Sequence, residues 1–214
     1  MPDDATPAEG LEAQVRAADP DRWLSSRFVG DPQARADLIA LYAFEAELIS
    51  IPTRVTQPLL AEMRYVWWRE QMDGVFAGTA RKGHPVLEAL TDLVARRPVQ
   101  RKVFDALIDA HIERVPGEEH DLYAFYARPM QQAVRILAGP DYDWMIADAG
   151  IVWGLSQVGR TEDAISFKAD ANQKLRDLPA VAFPAVAHAS LTRRDEPEAI
   201  KRLKLVGATL RGRI

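Results

Sequence analysis

The chain has 214 residues, of which 27 are Lys or Arg and 31 are Asp or Glu, so its formal net charge is −4. This mixed, mildly acidic composition argues against a nucleic-acid partner, which selects for a clustered excess of basic residues. The sequence has no cysteine, which excludes disulfides, thiolate metal sites and a cysteine nucleophile. The length favours one domain, since domains usually hold about 100–200 residues.

The N-terminal segment, residues 1–20, is acidic and has no apolar run. It therefore lacks the features of a signal peptide or a basic transit peptide. The longest weakly polar stretch, residues 178–191, is interrupted by prolines and is shorter than the roughly 18–20 apolar residues that a membrane-spanning helix needs. We expect a cytoplasmic protein with a flexible segment over residues 1–20 and one helical domain over residues 21–214.

Apolar residues recur with the period of a helix along most of the chain. Leu38 and Leu41 share one face of a helix that should begin at Pro32. Similar helices are predicted from Pro58 to Phe76, from Pro85, from Pro98, from Leu122 to Leu137, from Trp144 to Arg160 and from Glu196 to Leu210. Residues 116–119 should form a turn and residues 161–179 a mobile loop. No segment alternates as a strand does, so the sequence predicts a single-domain, all-α bundle.

Two glutamates of the helix that begins at Pro32, Glu45 and Glu47, lie close together in the sequence. Their side chains are about 200° apart around the helix axis and cannot converge on one ion. Glu45 shares the apolar face, which allows two interpretations. It is either an acid in a ligand pocket or a core carboxylate that pairs with a basic neighbour.

The segment 67–73 is the most distinctive local cluster, because adjacent tryptophans are followed by an arginine and an aspartate. Trp67 and Trp68 should point about 100° apart, so that one faces the core and the other a groove. Arg69 and Asp73 have helical i, i+4 spacing and are predicted to form an ion pair. A tryptophan face beside a guanidinium suits an apolar or anionic ligand. Core packing with a surface ion pair is the alternative.

Asp105, Asp109 and Glu113 repeat at every fourth position and form a stripe of carboxylates along one helix face. Such a stripe has the oxygen ligands to hold Mg²⁺ together with a diphosphate. The alternative is a solvated face whose charge is neutralised by Lys102 and by neighbouring arginines.

Short segments, mostly in the first half of the chain, form a recognisable pattern. They are Asp21–Leu24, Leu41–Phe44, Trp68-Arg69 with Asp73, Phe76 and Gly78, and His84-Pro85-Val86. Together they resemble the squalene/phytoene synthase family, over about residues 21–191. The resemblance implies one all-α domain of the isoprenoid-synthase type, here shortened towards the C-terminus. Enzymes of the family join two prenyl diphosphates head to head, and two Asp-rich motifs hold Mg²⁺ against the diphosphates.

The Asp-rich motifs of that family are missing from this chain. At the positions of the first motif it has Ile49, Ser50 and Thr53. At an aspartate of the second motif it has Thr161. The loss is severe, because Mg²⁺ both binds the diphosphate and stabilises its departure. The resemblance therefore implies that a pocket survives and that the ionisation chemistry does not.

One branch of the family already lacks these aspartates. The chain is similar to that branch, the mitochondrial complex I assembly factor with this fold, over residues 42–48, at Val55, and over residues 60–68 and 182–185. The resemblance implies a non-catalytic binding or assembly factor, for a respiratory or membrane complex or for an isoprenoid lipid. The alternative is a prenyltransferase that acts on prenyl diphosphates through rearranged carboxylates. Only this alternative requires a cofactor, Mg²⁺.

Eight side chains are expected to line a ligand pocket. They are Tyr42, Trp68, Arg69, Asp73, His84, Asp109, Tyr126 and Arg160. We assign no catalytic residue and no metal ligand among them. The expected partner is a protein or an apolar isoprenoid.

The C-terminal segment has the pattern of an amphipathic helix with basic flanks. Its apolar residues, which fall on one broad helix face, are Ile200, Leu203, Val206, Gly207 and Leu210. The pattern predicts peripheral contact with the inner face of an anionic membrane. The alternative is a helix that simply packs on the bundle with a basic outer face.

Overall fold

The computed structural model describes residues 7–114, 121–193 and 195–214, which contain helices and short helical turns and no strand. The helices are α1 Pro7–Ala18, α2 Pro20–Ser26, α3 Pro32–Arg54, α4 Pro58–Ala77, α5 Pro85–Arg96, α6 Arg101–Glu113, α7 Arg128–Ala138, α8 Asp143–Gln157, α9 Thr161–Lys174 and α10 Glu198–Arg211. The all-α prediction is confirmed. The turn predicted at residues 116–119 lies outside the described residues.

The helix boundaries follow from proline, aspartate and glycine. The Asp19 carboxylate accepts a hydrogen bond from the Arg22 amide at 2.9 Å and caps α2. The Asp31 carboxylate accepts one from the Gln33 amide at 2.9 Å and caps α3. Both helices have proline in their first turn, where its missing N–H costs nothing. Gly78 ends α4 with a φ of 72°, a left-handed conformation that glycine adopts without strain.

Helix α3 forms the centre of the bundle. Every residue from Asp37 to Ala46 is buried, so the helix is covered on all sides. It contacts α1, α2, α4, α5, α6 and α7. A helix that is apolar around most of its circumference belongs in a protein interior, and α3 therefore positions the interior residues from which a ligand site would be built. Among the described residues, no helix combines the length and the apolar character required to cross a bilayer.

The structure corrects the expectation of a flexible segment over residues 1–20. From Pro7 onward this segment is helix α1, and it packs against α3. Leu11 and Val15 are buried, at 7% and 1% exposure. Arg35 of α3 holds both carboxylate oxygens of Glu12, at 2.5 and 2.8 Å. Leu11 and Val15 are four residues apart and give α1 one narrow apolar stripe. Because the segment is acidic overall, this stripe is a weak signal for a helix in the sequence.

The structure also corrects the mobile loop expected over residues 161–179. Most of this segment is helix α9, which packs along α8. Its residues buried against the bundle are Ala164 and Ala171, both with no exposed surface. Alanine allows close helix approach but gives a weak hydrophobic signal, and the remaining residues are mostly polar. The apolar periodicity of this segment is therefore too weak to predict the helix.

Gly150 of α8 lies close to the backbone of a neighbouring helical turn. A Cβ atom at Gly150 would stand 2.3 Å from the Cα atom of Ala127, which belongs to a π-helical turn before α7. We expect Gly150→Ala to lower the free energy of unfolding by about 1–3 kcal/mol through overpacking. Gly10→Ala is the matched control, because nothing lies within 4 Å of a Cβ atom there. The control should stabilise α1 by up to about 1 kcal/mol.

Urea denaturation of the two glycine variants checks this prediction. If Gly150→Ala were as stable as the wild type, the close contact between α8 and the π-helical turn would be wrong.

Candidate functional site

A cavity of about 380 Å³ opens between α1, the start of α2, α3, α8 and α10. We call it the central cavity. Its apolar wall consists of Val15, Ala46, Ile49, Tyr126 and Trp153. Ile49 is 55% exposed and lies at the mouth. The volume and the apolar wall are typical of a pocket for a small organic ligand.

Two of the predicted pocket residues, Tyr42 and Tyr126, line the central cavity. Tyr42 lies in the middle of α3 and is 2% exposed. Tyr126 is seated against Gly154 of α8, where an added Cβ atom would come within 2.6 Å of the tyrosine ring. Gly154 thus makes room for the ring that forms this side of the cavity. Both tyrosines lie in one cavity, and the other six side chains expected in a ligand pocket do not line it.

Arg22 forms the polar end of the central cavity. Its Nε donates to Asp19 at 2.6 Å, and its Nη1 donates to Glu45 at 2.6 Å. The guanidinium carbon also lies 4.7 Å from the centre of the Tyr42 ring. We call Asp19, Arg22, Tyr42 and Glu45 the Arg22 cluster. Of the two interpretations of Glu45, the structure supports the core carboxylate paired with a basic neighbour.

Burial and mutual attraction shift the pKa values of the Arg22 cluster in opposite directions. Burial raises the pKa of Glu45, and the Arg22 charge offsets only part of this effect. Burial also raises the pKa of the Tyr42 phenol, which stays protonated. For Asp19, burial opposes ionisation, but the Arg22 charge and the amide hydrogen bond outweigh it and lower the pKa. The one cation of the cluster, Arg22, therefore serves two carboxylates, of which Asp19 is the more readily ionised.

Three buried polar atoms in or beside the Arg22 cluster have no hydrogen-bond partner: Tyr42 Oη, Glu45 Oε1 and His188 Nδ1. Of the three residues, Tyr42 lines the central cavity. His188 stacks edge-on against Trp153 of the cavity wall, with ring centres 5.0 Å apart. A buried polar atom without a partner typically costs about 1–3 kcal/mol. Native proteins keep few such atoms, and a cluster of them calls for an explanation, such as a polar group that binds there.

A second ion pair closes the side of the cavity that faces α10. Lys201 of α10 donates to Asp21 at 2.8 Å, and both side chains are largely buried, with 12% and 8% exposure. Asp21 is therefore paired with a cation of its own, whereas Asp19 and Glu45 share Arg22.

Of the positions of the missing Asp-rich motifs, Ile49 lines the central cavity. Ser50 lines a separate groove between α3 and α4, and Thr161 lines a surface pocket with Arg193 and Glu196. The Ser50 hydroxyl donates to the backbone carbonyl of Glu47 at 2.8 Å and so supplies no charge. Within the described ranges, no group of three or more His, Cys, Asp or Glu side chains is arranged to hold a metal ion.

The tryptophan cluster lies away from the central cavity. Trp68 is 3% exposed and packs on Phe44 and on His84, whereas Trp67 is half-buried. The prediction that only one of the two tryptophans belongs to the core is confirmed. Trp68 and His84 line a separate surface groove beside α3 and α4, so they do not join Tyr42 and Tyr126 in one pocket.

The predicted ion pair between Arg69 and Asp73 is wrong. Arg69 instead pairs with Asp109 of α6, and Asp73 pairs with Arg101. Helix α6 packs along α4, so cross-helix partners replace the partners within the helix. These side chains lie on the outer surface, far from the cavity wall.

The carboxylate stripe on α6 is largely neutralised by arginines. Asp109 forms an ion pair with Arg69, and Asp105 accepts a hydrogen bond from Arg101 at 3.2 Å. This arrangement agrees with a solvated, charge-paired face. Arg160 is likewise on the surface, where it pairs with Asp163 at 2.7 Å.

The sequence analysis missed the charged residues that line the cavity, which are Asp19, Asp21, Arg22 and Lys201. One signal was available for Arg22. A glutamate on an apolar helix face requires a cation, since a buried carboxylate is almost always paired. Nothing in the sequence indicates which of the many arginines is the partner, because Arg22 and Glu45 belong to different helices.

A family model for squalene/phytoene synthase matches residues 15–125 of the chain. The match covers α2 to α6 completely and includes the Arg22 cluster. No curated protein matches the chain. The helical fold agrees with that of the family, which is an all-α isoprenoid-synthase fold. The matched region spans more than half of the chain, and the chain therefore belongs to the squalene/phytoene synthase family.

Proposed function

We propose that this chain is a non-catalytic member of the family that acts as a binding or assembly factor and holds an apolar isoprenoid in the central cavity. One observation carries the proposal. The cavity keeps an apolar wall, while the positions of the metal-binding aspartates have Ile49, Ser50, Thr53 and Thr161. The fold thus retains space for an isoprenoid chain without the ligands that activate a diphosphate.

The charges around the cavity also argue against a diphosphate. Arg22 is bound by two carboxylates, and Lys201 is bound by Asp21. A diphosphate carries several negative charges and needs cations that are free to bind it. It would have to displace buried ion pairs, which leaves carboxylates unpaired in the interior at a cost of several kcal/mol.

The Tyr42 hydroxyl, which has no partner, favours a ligand with an uncharged polar end. A hydroxyl or a carbonyl group could accept a hydrogen bond from Tyr42 Oη, because Tyr42 lines the cavity. This bond would satisfy an atom that the protein itself leaves unpaired. The proposed ligand is therefore an isoprenoid alcohol or an isoprenoid carbonyl compound.

A separate observation supports the assembly role. Helix α4 exposes an apolar strip made of Leu59, Leu60, Met63 and Val66, which are 41–68% exposed. Exposed apolar patches of this kind mark surfaces that bind partners. Most of the strip lies in the segment 60–68 that resembles the complex I assembly-factor branch, so we assign it to a protein partner.

Thermal shift with farnesol and with farnesyl diphosphate tests the cavity. We expect farnesol to raise the melting temperature, since a ligand that binds only the folded state stabilises it. Tyr42→Phe removes one hydrogen bond and should weaken farnesol binding by about five- to tenfold. Tyr65→Phe is the matched control. Tyr65 is a second buried tyrosine, which donates to the Leu48 carbonyl at 3.3 Å and is not part of the cavity wall.

The same titration with farnesyl diphosphate and Mg²⁺ examines the enzyme alternative. We expect no Mg²⁺-dependent release of pyrophosphate. Release that Asp109→Ala abolishes would instead establish a prenyltransferase that uses the stripe on α6. If farnesol left the melting temperature unchanged, the cavity would not be an isoprenoid site.

A further inference from the structure

Helix α10 turns an apolar face towards solvent. Its exposed apolar side chains are Ile200, Leu203, Val206 and Leu210, at 43%, 68%, 40% and 82% exposure. Leu205 and Ala208 are buried and lie on the opposite side of the helix, about 180° away. Helix α10 therefore packs on the bundle through Leu205 and Ala208, and its face with Leu203 and Leu210 is exposed.

The helix is held firmly in this orientation. Lys201 binds Asp21 at 2.8 Å near the start of α10. After its end, the side chain of Asn172 bonds both the amide and the carbonyl of Ile214, at 2.8 and 3.0 Å. Contacts at both ends, together with buried Leu205, fix the direction in which the exposed apolar face points.

Basic residues flank the exposed face on both sides. Arg202 lies on one edge, and Lys204 and Arg211 lie on the other. Residues 196–214 contain five basic and two acidic side chains. Glu198 and Glu196 pair with Arg202 and Lys204. In the part of the chain that the structure describes, Arg193, Arg211 and Arg213 have no carboxylate at ion-pair distance.

We propose that α10 docks on the surface of an anionic lipid bilayer. The helix would lie in the plane of the interface, with Leu203 and Leu210 immersed and the basic flanks at the level of the headgroups. Interfacial helices differ from spanning ones in having a single apolar face, cationic edges and polar residues over much of the remaining surface. The proposal does not depend on the identity of the cavity ligand.

Charge complementarity favours an anionic lipid surface, and not a second copy of the chain, as the partner of the exposed face of α10. In a symmetric dimer through this face, the same surface would meet itself. The arginines at the edges of two identical helices would then stand close together and repel. An anionic bilayer attracts the same arginines, and each basic residue near such a surface strengthens binding by about fivefold.

Vesicle sedimentation with the full chain tests the proposal. We expect binding to phosphatidylcholine vesicles that contain phosphatidylglycerol, no binding to pure phosphatidylcholine, and loss of binding between about 0.05 and 0.5 M NaCl as the charges are screened. The double variant Leu203→Gln/Leu210→Gln should weaken binding by at least about tenfold. Arg211→Glu/Arg213→Glu should weaken it further and flatten its salt dependence.

Leu59→Gln on α4 is the matched control, since Leu59 and Leu203 are both 68% exposed. It should bind vesicles as the wild type does. Truncation of α10 is unsuitable, because it would remove the buried residues Leu205, Ala208 and Ile214. Circular dichroism should show that the point variants keep the fold.

Three results would overturn the proposal. They are no binding to anionic vesicles at low salt, an equal loss of binding in Leu59→Gln, and a dimer in sedimentation velocity that Leu203→Gln dissociates. Farnesol titration of Leu203→Gln/Leu210→Gln should match the wild type. This readout separates a failure of membrane docking from a failure of the cavity proposal.

Discussion

Arg22→Met should lower the free energy of unfolding by about 3–5 kcal/mol. The substitution leaves the carboxylates of Asp19 and Glu45 without their cation, and Glu45 is only 3% exposed. Removing one partner of a buried ion pair costs this much because the remaining charge stays in a medium of low dielectric. The loss should appear in the denaturation midpoint, with the slope against urea concentration unchanged.

Arg101→Met is the matched control for Arg22→Met. Arg101 also contacts two carboxylates, those of Asp73 and Asp105, but it does so on the surface. Pairs in that setting contribute at most about 1 kcal/mol. Equal losses in the two variants would show that burial does not govern the Arg22 cluster.

The double variant Arg22→Met/Glu45→Leu tests whether Arg22 and Glu45 contribute to stability as a pair. Apolar replacement of both partners of a buried ion pair is often close to neutral. We therefore expect the double variant to be more stable than Arg22→Met alone. If its loss equalled the sum of the two single losses, Arg22 and Glu45 would not be coupled.

The helical fold was predictable from the sequence because local signals specify it. Pro32 and Gly78 lie where the chain enters and leaves helices, and their backbone preferences act within a few residues. The errors arise where packing depends on little apolar surface. Helix α1 is anchored by Leu11 and Val15, and α9 by alanines, so neither gives a strong periodic signal.

The candidate site was predictable only in part, because it depends on contacts between helices. The apolar face of α3 correctly placed Tyr42 and Glu45 in the interior. The choice of Arg22 as the partner of Glu45 depends on how α2 is set against α3, which no local pattern encodes. For the same reason Arg69 bonds Asp109 on α6 and not Asp73, although the spacing within α4 favours Asp73.

His188 should make the stability of the protein depend on pH well above the range in which carboxylates titrate. Burial lowers the pKa of His188 from 6.5 to about 3, with Asp19 and Arg22 acting on it in opposite directions. The unfolded chain therefore takes up a proton as the pH falls below about 6.5, whereas the folded protein does not. The stabilisation from neutral, buried His188 is complete above pH 6.5 and is lost progressively as the pH falls towards 3.

His188→Phe removes this titration and keeps an aromatic ring against Trp153. Near pH 7.5 the variant should lie within about 1.5 kcal/mol of the wild type, since only packing differs there. Near pH 4.5 the wild type should have lost about 3 kcal/mol that the variant keeps, because each pH unit below the unfolded pKa costs about 1.4 kcal/mol. All carboxylates are common to the two proteins, so the difference between their urea midpoints at each pH isolates His188. Parallel losses in both proteins between these two pH values would mean that His188 is protonated in the folded state, and that its ring faces water or an acid and not the interior beside Trp153.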